Sequence, residues 1–133
     1  MNAKIVTVYA SILAVLFVFL SVRTLRLRRT LKIAIGDAGN QAMLRAMRVH
    51  SNFAEYVPLS LLLVYFVEAG GARPWLVHAL SLVLVAGRCA HAYGVSQVNE
   101  NYRYRVFGMA MTLATLLTCS AYLLLAGVTR LGA

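Results

Sequence analysis

Residues 106–128 read VFGMAMTLATLLTCSAYLLLAGV, twenty-three consecutive positions without a charged side chain. A helix of that length rises about 1.5 Å per residue and can cross a hydrocarbon core about 30 Å thick. The rest of the chain has the same character, because 61% of its 133 residues are hydrophobic and only 13% are charged. The sequence therefore predicts an integral membrane protein and excludes a disordered tail.

Three further apolar segments lie upstream of this one. Residues 5–22 are also uncharged, and basic residues follow them without a small-residue cleavage site, which indicates a retained anchor rather than a signal peptide. Turn-like sequences at residues 36–40 and 70–74 separate the remaining segments, and Asn40 suits the N-cap of the helix after the first turn. We predict one all-α domain over residues 1–133, an integral membrane four-helix bundle. Its predicted spans cover residues 5–22, 41–69, 75–93 and 104–128.

Positive charge collects in two of the predicted loops. The formal net charge is +9, from thirteen Lys and Arg residues against four Asp and Glu residues. Seven of the basic residues lie between Arg23 and Arg48, and Arg103 and Arg105 lie between the third and fourth spans. Because loops rich in Lys and Arg stay in the cytoplasm, both termini are expected on the non-cytoplasmic side. The basic cluster is expected to contact anionic lipid. Nucleic acid is not an expected partner, because no aromatic residues are interleaved with the charge.

The cysteines, one histidine and a line of small residues are interpreted as structural rather than catalytic. Cys89 and Cys119 lie in apolar segments, and their spacing matches neither a disulfide scaffold nor a metal site, so we expect no bound metal. His78 lies near the outer end of the third span and suits an interfacial position. A line of small residues on the fourth span indicates close helix packing: Gly108, Thr112, Thr115 and Cys119.

Polar residues on the second predicted helix fall on one face. At about 100° per residue, five of them share an arc of about 100°: Arg45, Arg48, Asn52, Glu55 and Tyr56. Glu55 lies about 10 Å along the helix axis from Arg48, at a depth where exposing a carboxylate to lipid is costly. This stripe must therefore face protein, water or a ligand. A structural lattice of polar side chains between helices is the alternative.

Other polar groups lie at the same membrane depth. Arg88 and His91 share a face of the third span, Tyr93 follows shortly after, and residues 102–105 begin the fourth span. Arginine binds carboxylates in a bidentate manner, a glutamate neutralises an amine, and Asn and Tyr satisfy amide groups. Glutathione has two carboxylates, one amine, two peptide groups and a thiol. A tripeptide thiol thus matches this set of side chains.

In these motifs the sequence resembles the MAPEG family, the membrane-associated proteins of eicosanoid and glutathione metabolism. The resemblance covers nearly the whole chain and is closest to the bacterial branch. The matching motifs are Arg45-x-x-Arg48-x-x-x-Asn52-x-x-Glu55-Tyr56-x-Pro58-Leu59, Gly87-Arg88-x-x-His91-Ala92-Tyr93-Gly94 and Arg105-x-x-Gly108-Met109. The resemblance implies a homotrimer in the bacterial inner membrane, with glutathione sites between neighbouring subunits that open towards the cytoplasm.

The resemblance also implies roles for individual residues. The residues that match glutathione-binding positions are Arg48, Asn52, Glu55, Tyr56 and His91. Arg105 is the best match to the catalytic arginine placed against the thiol, with Arg103 as its competitor. Val95 occupies the position of a second family tyrosine, and Tyr93 is the offset candidate for that role. Arg28 is the candidate contributed by the adjacent subunit.

The expected reaction is attack of the glutathione thiolate on a lipophilic electrophile or a hydroperoxide dissolved in the membrane. Such a co-substrate would arrive through the bilayer, in a cleft lined by the first and fourth helices. Two alternatives stay open. In the first alternative, the chain is a non-catalytic member of the same family that binds lipid or glutathione. In the second, it is a small proton-coupled exporter that uses Glu55.

Overall fold

The computed structural model describes residues 4–131, and the side chains of residues 4–129, as four α-helices joined by short loops. The helices are α1 (Ile5–Leu31), α2 (Gln41–Ala69), α3 (Pro74–Ser96) and α4 (Tyr102–Leu131). Strands are absent from residues 4–131, so the predicted all-α class is confirmed. Three helices are longer than their predicted spans: α1 continues through the basic residues after position 22, α3 continues to Ser96, and α4 runs from Tyr102 to Leu131.

Three of the helices, α1, α3 and α4, are long and apolar enough to cross a membrane. Together with the composition, they make the chain an integral membrane protein. Helix α2 has 29 residues and matches its predicted range, but its four charged side chains are spread along its length, whereas the four of α1 all lie in its C-terminal part. It packs against each of them. Its crossing of the membrane stays a prediction.

The helix ends are formed by local interactions. The Asn40 side chain accepts a hydrogen bond from the Met43 N–H at 3.0 Å, so the predicted N-cap of α2 is confirmed. Helix α1 ends at Lys32, which adopts a left-handed conformation with φ 55°. Beyond it, the Arg28 side chain donates to backbone carbonyl oxygens of the loop, including that of Gly36 at 3.1 Å. The first basic loop is thereby tied to α1.

The interior of the bundle is apolar and centres on α2 and α3. The buried residues of α2 recur every three or four positions: Met43, Ala46, Val49, Phe53, Val57, Ser60, Val64 and Val67. Helix α1 buries a residue only at every seventh position: Val6, Leu13 and Leu20. It therefore covers one side of the bundle with a narrow stripe, and most of its surface faces outward.

Helices α3 and α4 form the most extensive helix contact, and glycines on both helices permit it. A Cβ atom added at Gly108 would lie 2.5 Å from both the Gly87 carbonyl oxygen and the His91 backbone nitrogen. The small residues that follow Gly108 on α4 are fully buried: Thr112, Thr115 and Cys119. The predicted close packing along this line is confirmed.

The bundle has two chemically different ends. We call the end with loops 32–40 and 97–101 the basic end, and the end with loop 70–73 and the first turn of α1 the opposite end. At the opposite end, the Glu68 carboxylate accepts hydrogen bonds from the N–H groups of Ile5 and Val6, both at 2.8 Å. This carboxylate satisfies two of the N–H groups that every helix start leaves without an intrahelical partner.

Candidate functional site

A polar cavity of about 90 Å³ opens at the basic end, where α2, the last turns of α3 and the first turn of α4 meet. We call it the polar cavity. Its walls are formed by Arg48, Ser51, Asn52, Glu55, His91, Val95 and Arg105. Five of the residues proposed from the sequence as a glutathione site therefore lie together: Arg48, Asn52, Glu55, His91 and Arg105.

Helical spacing accounts for two walls of the polar cavity. On α2, Arg48, Asn52 and Glu55 lie at positions i, i+4 and i+7, which share one helix face. On α3, His91 and Val95 lie at i and i+4 and form the second wall. The residues that line each wall thus follow from the sequence once the two helices face each other.

Close helix packing supplies the third wall. Arg105 lies in the first turn of α4. A Cβ atom added at Gly94 of α3 would lie 2.8 Å from the Arg105 backbone nitrogen, so the two backbones are in direct contact. This contact sets the backbone of Arg105 beside the His91 wall, and its side chain reaches the cavity with 52% of its surface exposed.

A buried arginine orients Asn52. The Arg88 side chain is 1% exposed, and its Nη1 donates to Asn52 Oδ1 at 2.9 Å. Since the amide oxygen faces Arg88, the amide nitrogen of Asn52 is left free to donate elsewhere. Tyr56 does not line the polar cavity; its ring centre lies 5.9 Å from the Arg88 guanidinium carbon. Nε and Nη2 of Arg88 have no hydrogen-bond partner among the described residues.

Sequence reasoning missed Glu100, which lies in the loop between α3 and α4. Its side chain is only 4% exposed, and its Oε2 accepts a hydrogen bond from Arg45 Nη1 at 2.8 Å. Arg45 also donates to the Val95 carbonyl oxygen at 3.2 Å, so it lies behind the polar cavity and not in its wall. The available signal was a single acidic residue just before the basic start of the fourth predicted helix.

Arg48 and Glu55 are exposed side chains of the polar cavity. Neither of them has a side-chain hydrogen-bond or ion-pair partner within the part of the chain that the structure describes, and they do not pair with each other. Arg45 and Asn52, from the same stripe, are by contrast bonded to Glu100 and Arg88. The stripe thus divides into two hydrogen-bonded residues, Tyr56 beside Arg88, and two residues without a side-chain partner in the described chain.

Three other residues proposed from the sequence lie away from the polar cavity. Tyr93 is exposed, and its ring packs edge-to-face on Tyr104 with 5.3 Å between ring centres. Arg28 is bonded to carbonyl groups of the first basic loop. Arg103, the competitor of Arg105, is exposed on the first turn of α4 and is not part of the cavity wall.

An apolar groove of about 390 Å³ adjoins the polar cavity. It shares Asn52, His91 and Arg105 with the cavity and continues along α4 past residues 106–113. A cleft between α1 and α4, expected from the sequence, is not formed within the described chain, because the described parts of these helices do not pack together. The reason is the position of α1, which packs against α2 and α3 on another side of the bundle.

The fold and this cavity define a class of protein, an all-α integral membrane protein with an arginine-rich site at one end of its bundle. The chain belongs to the MAPEG family, whose model matches residues 6–125. It is 38% identical over 109 residues to the inner membrane protein YecN of Escherichia coli strain K12, which covers 82% of each chain. YecN of Escherichia coli O6:H1 matches with the same identity and coverage.

Proposed function

We propose that this protein is a glutathione-dependent transferase or peroxidase that acts on lipophilic substrates. The observation that supports the proposal is the composition of the polar cavity in a member of the MAPEG family. Two arginines and one glutamate, Arg48, Arg105 and Glu55, leave a net charge of +1 in its wall. Glutathione, with two carboxylates and one ammonium group, carries a net charge of −1 while its thiol is protonated, and therefore complements the cavity.

The available donors and acceptors match the groups of the tripeptide. Arg48 has a guanidinium fork without a partner in the described chain, which suits a carboxylate. Glu55 is the matching acceptor for the ammonium group. The Asn52 amide nitrogen, freed by the bond between its oxygen and Arg88, can donate to a peptide carbonyl. Bonding a ligand in this way satisfies groups that would otherwise lie charged within the membrane.

The size of the polar cavity bears on the assembly of the protein. At about 90 Å³ it is smaller than the roughly 300–1,000 Å³ of ordinary small-molecule sites. A tripeptide must therefore extend beyond it, either into the adjoining groove or against a second protein surface. A homotrimer, as the family resemblance implies, would supply that surface, and Arg28 is the proposed contributor from the neighbouring subunit.

In the proposed reaction, Arg105 activates the thiol. A free thiol has a pKa of about 8.5 and is mostly protonated at neutral pH, whereas the thiolate is the nucleophile. A permanently charged guanidinium that donates a hydrogen bond to sulfur favours the thiolate, and a depression of two pKa units corresponds to ~2.7 kcal/mol. The proton leaves to solvent, since the polar cavity is open.

The two reaction types differ in the bond that breaks. In transfer, the thiolate sulfur forms a bond to an electrophilic carbon, and a leaving group departs with the bonding electrons or an activated double bond accepts them. In peroxide reduction, the thiolate sulfur attacks the terminal peroxide oxygen, the O–O bond breaks, and the alkoxide departs and takes a proton from solvent to give the alcohol. A second glutathione then displaces hydroxide from the sulfenic acid and yields the disulfide. The apolar groove along α4 is the proposed path for either co-substrate.

The location and orientation belong to the same proposal. The E. coli relative is named as an inner membrane protein. We assign this chain to a bacterial inner membrane with the basic end in the cytoplasm, where bacteria keep glutathione and where loops rich in Lys and Arg reside.

The test is a glutathione titration of the purified protein in detergent, monitored through the ultraviolet absorption of the thiolate. We expect the parent protein and Arg103→Leu to form the thiolate at neutral pH, and Arg105→Leu to bind glutathione without forming it. Turnover with a generic electrophile should fall about a hundredfold in Arg105→Leu, the typical cost of one lost electrostatic contact to the reacting centre. Arg103→Leu is the matched control, because Arg103 lies two residues away and outside the polar cavity.

Two results would contradict this assignment. Glutathione binding to the parent without thiolate formation would leave a binding module and exclude the enzyme. Equal turnover of parent and Arg105→Leu would exclude Arg105 as the activating residue.

A further inference from the structure

We propose that Glu100 is a positioning residue that holds the Arg105 guanidinium at the mouth of the polar cavity. This inference rests on the proposed function, since it explains how the thiol-activating group keeps its place. Glu100 itself is not part of the polar cavity wall and lies in the loop between α3 and α4.

The Glu100 carboxylate lies between two arginines from different helices. Its Oε2 is bonded to Arg45 Nη1 at 2.8 Å, and its Oε1 lies 3.6 Å from Arg105 Nη1. Oε1 is buried and accepts no hydrogen bond from any described residue. The carboxylate therefore attracts Arg105 by charge at a distance too long for a full hydrogen bond.

Arg45 fixes the orientation of this carboxylate. Its guanidinium is bonded both to Glu100 and to the Val95 carbonyl oxygen, at the C-terminal end of α3. Because Arg45 is attached to α2 and bonded to α3, the rotamer of Glu100 is set by two helices that do not depend on Arg105. Glu100 thus presents Oε1 to Arg105 from a rigid support.

Arg105 has no comparable support of its own. Half of its side chain is exposed, and Glu100 is its only side-chain partner in the described part of the chain. A free arginine side chain samples many rotamers, and fixing it in one of them costs up to about 2 kcal/mol of conformational entropy. Without Glu100, the guanidinium would spend much of its time away from the sulfur position.

The charge balance allows Glu100 to hold Arg105 without cancelling it. Two arginines against one carboxylate leave a net charge of +1, and the longer contact leaves most of the N–H donors of Arg105 for a ligand. The other charged or titratable groups that surround this site are Arg48 and Glu55 on α2 and Arg88 and His91 on α3. None of the four bonds to Glu100 in residues 4–131.

A first experiment measures the position of Arg105 without glutathione. The protein is treated with phenylglyoxal, which modifies accessible arginines, and the rate at Arg105 is followed by mass spectrometry. We expect E100Q to raise that rate about threefold, as the loss of a weak ion pair allows. The rate at Arg103, which has no ion pair with Glu100, serves as the internal control. An unchanged rate at Arg105 would overturn the proposal whether or not the protein binds glutathione.

A second experiment measures the consequence for the thiol. In E100Q we expect the pH midpoint of glutathione thiolate formation to rise by about one unit and kcat to fall about tenfold, with KM for glutathione changed less than about twofold. E100D keeps the charge but draws the carboxylate back by one methylene. Its pH midpoint should therefore lie between those of the parent and E100Q. In an Arg105→Leu background, E100Q should have no further effect on the midpoint, because the two residues act as a unit.

The outcomes separate this inference from the proposed function. If E100Q lowers only thermal stability, with the thiolate midpoint and kcat intact, Glu100 is a structural clamp and the inference is wrong. If the parent does not bind glutathione but phenylglyoxal labelling of Arg105 rises in E100Q, the proposed function fails while the Glu100–Arg105 pairing stands. If E100Q does not fold, the same labelling comparison is made with E100D, where an unchanged rate would overturn the inference.

Discussion

Glu55 and Glu68 lie thirteen residues apart on α2 and meet different surroundings. At the opposite end, both oxygens of Glu68 accept backbone N–H groups from the start of α1, each at 2.8 Å. At the basic end, Glu55 is exposed in the polar cavity and has no side-chain partner in the described chain. A carboxylate that the chain itself satisfies serves the fold, and one that the chain leaves unsatisfied is available to a ligand.

The same contrast extends to the neighbours of the two acids. Around Glu68, the contacts join α1 to the end of α2, and Tyr9 and His78 are hydrogen-bonded at 3.0 Å between α1 and α3. Around Glu55, Arg48 is also without a side-chain partner in the described residues, and the apolar groove adjoins the cavity. We therefore expect changes at the opposite end to alter stability and changes at the basic end to alter binding.

The largest expected effect comes from Gly108→Ala, which tests whether the basic end depends on direct backbone contact. The added Cβ atom would lie 2.5 Å from two backbone atoms of α3 that cannot move independently. We expect the free energy of unfolding in detergent to fall by about 2–3 kcal/mol, as overpacking does in other cores. Glutathione binding should weaken as well, because His91 is one of the residues displaced.

Gly127→Ala is the matched control for this substitution. Gly127 lies on the same helix, and nothing is within 4 Å of a Cβ atom added there. Alanine at this position should be neutral or slightly stabilising because of its higher helix propensity. Equal loss of stability in both variants would contradict the close contact between α3 and α4.

An intermediate effect is expected from Glu68→Ala, which tests the opposite end. The substitution removes two charge-assisted hydrogen bonds to the start of α1, so the free energy of unfolding should fall by about 2 kcal/mol. Affinity for glutathione, measured by calorimetry in detergent, should stay unchanged. A loss of affinity without a loss of stability would reverse the roles assigned to the two ends.

The smallest expected effect is that of Glu55→Ala, which should change binding and not stability. Loss of the acceptor for the ammonium group should weaken glutathione binding about tenfold, or about 1.4 kcal/mol. The free energy of unfolding should change by less than about 0.5 kcal/mol, as for other exposed positions. Glu55→Gln, which keeps the shape and removes the charge, should show most of the same loss of affinity. A strongly destabilised Glu55→Ala protein would show that Glu55 has a structural partner.

Sequence patterns predicted which residues lie together in the polar cavity where those residues belong to one helix. Arg48, Asn52 and Glu55 line the polar cavity together because helical spacing alone puts them on one face. The same pattern did not distinguish Arg45 from Arg48, although Arg45 is bonded to Glu100 and Arg48 has no such partner in the described chain. That distinction depends on what lies opposite each side chain, which the periodicity of one helix does not contain.

Two acidic residues show the limit most clearly. Glu68 and Glu100 have no periodic partner in the sequence, yet one caps the start of α1 and the other joins Arg45 to Arg105. Three of their four partners lie 63, 62 and 55 residues away along the chain. Such pairings arise when helices pack, and a local pattern of charge and hydrophobicity does not specify them.

The sequence by itself determined that this chain is a membrane protein of four helices, which segments form those helices, and which α2 residues share a face. These properties follow from local physics, namely the apolar length needed to cross a bilayer, the capping of helix ends and the 3.6-residue repeat. Only the tertiary structure decided which polar groups are satisfied within the chain and which stay available. The physical reason is that satisfying a charge in a low-dielectric interior requires a partner within hydrogen-bonding distance, and packing alone brings distant residues that close.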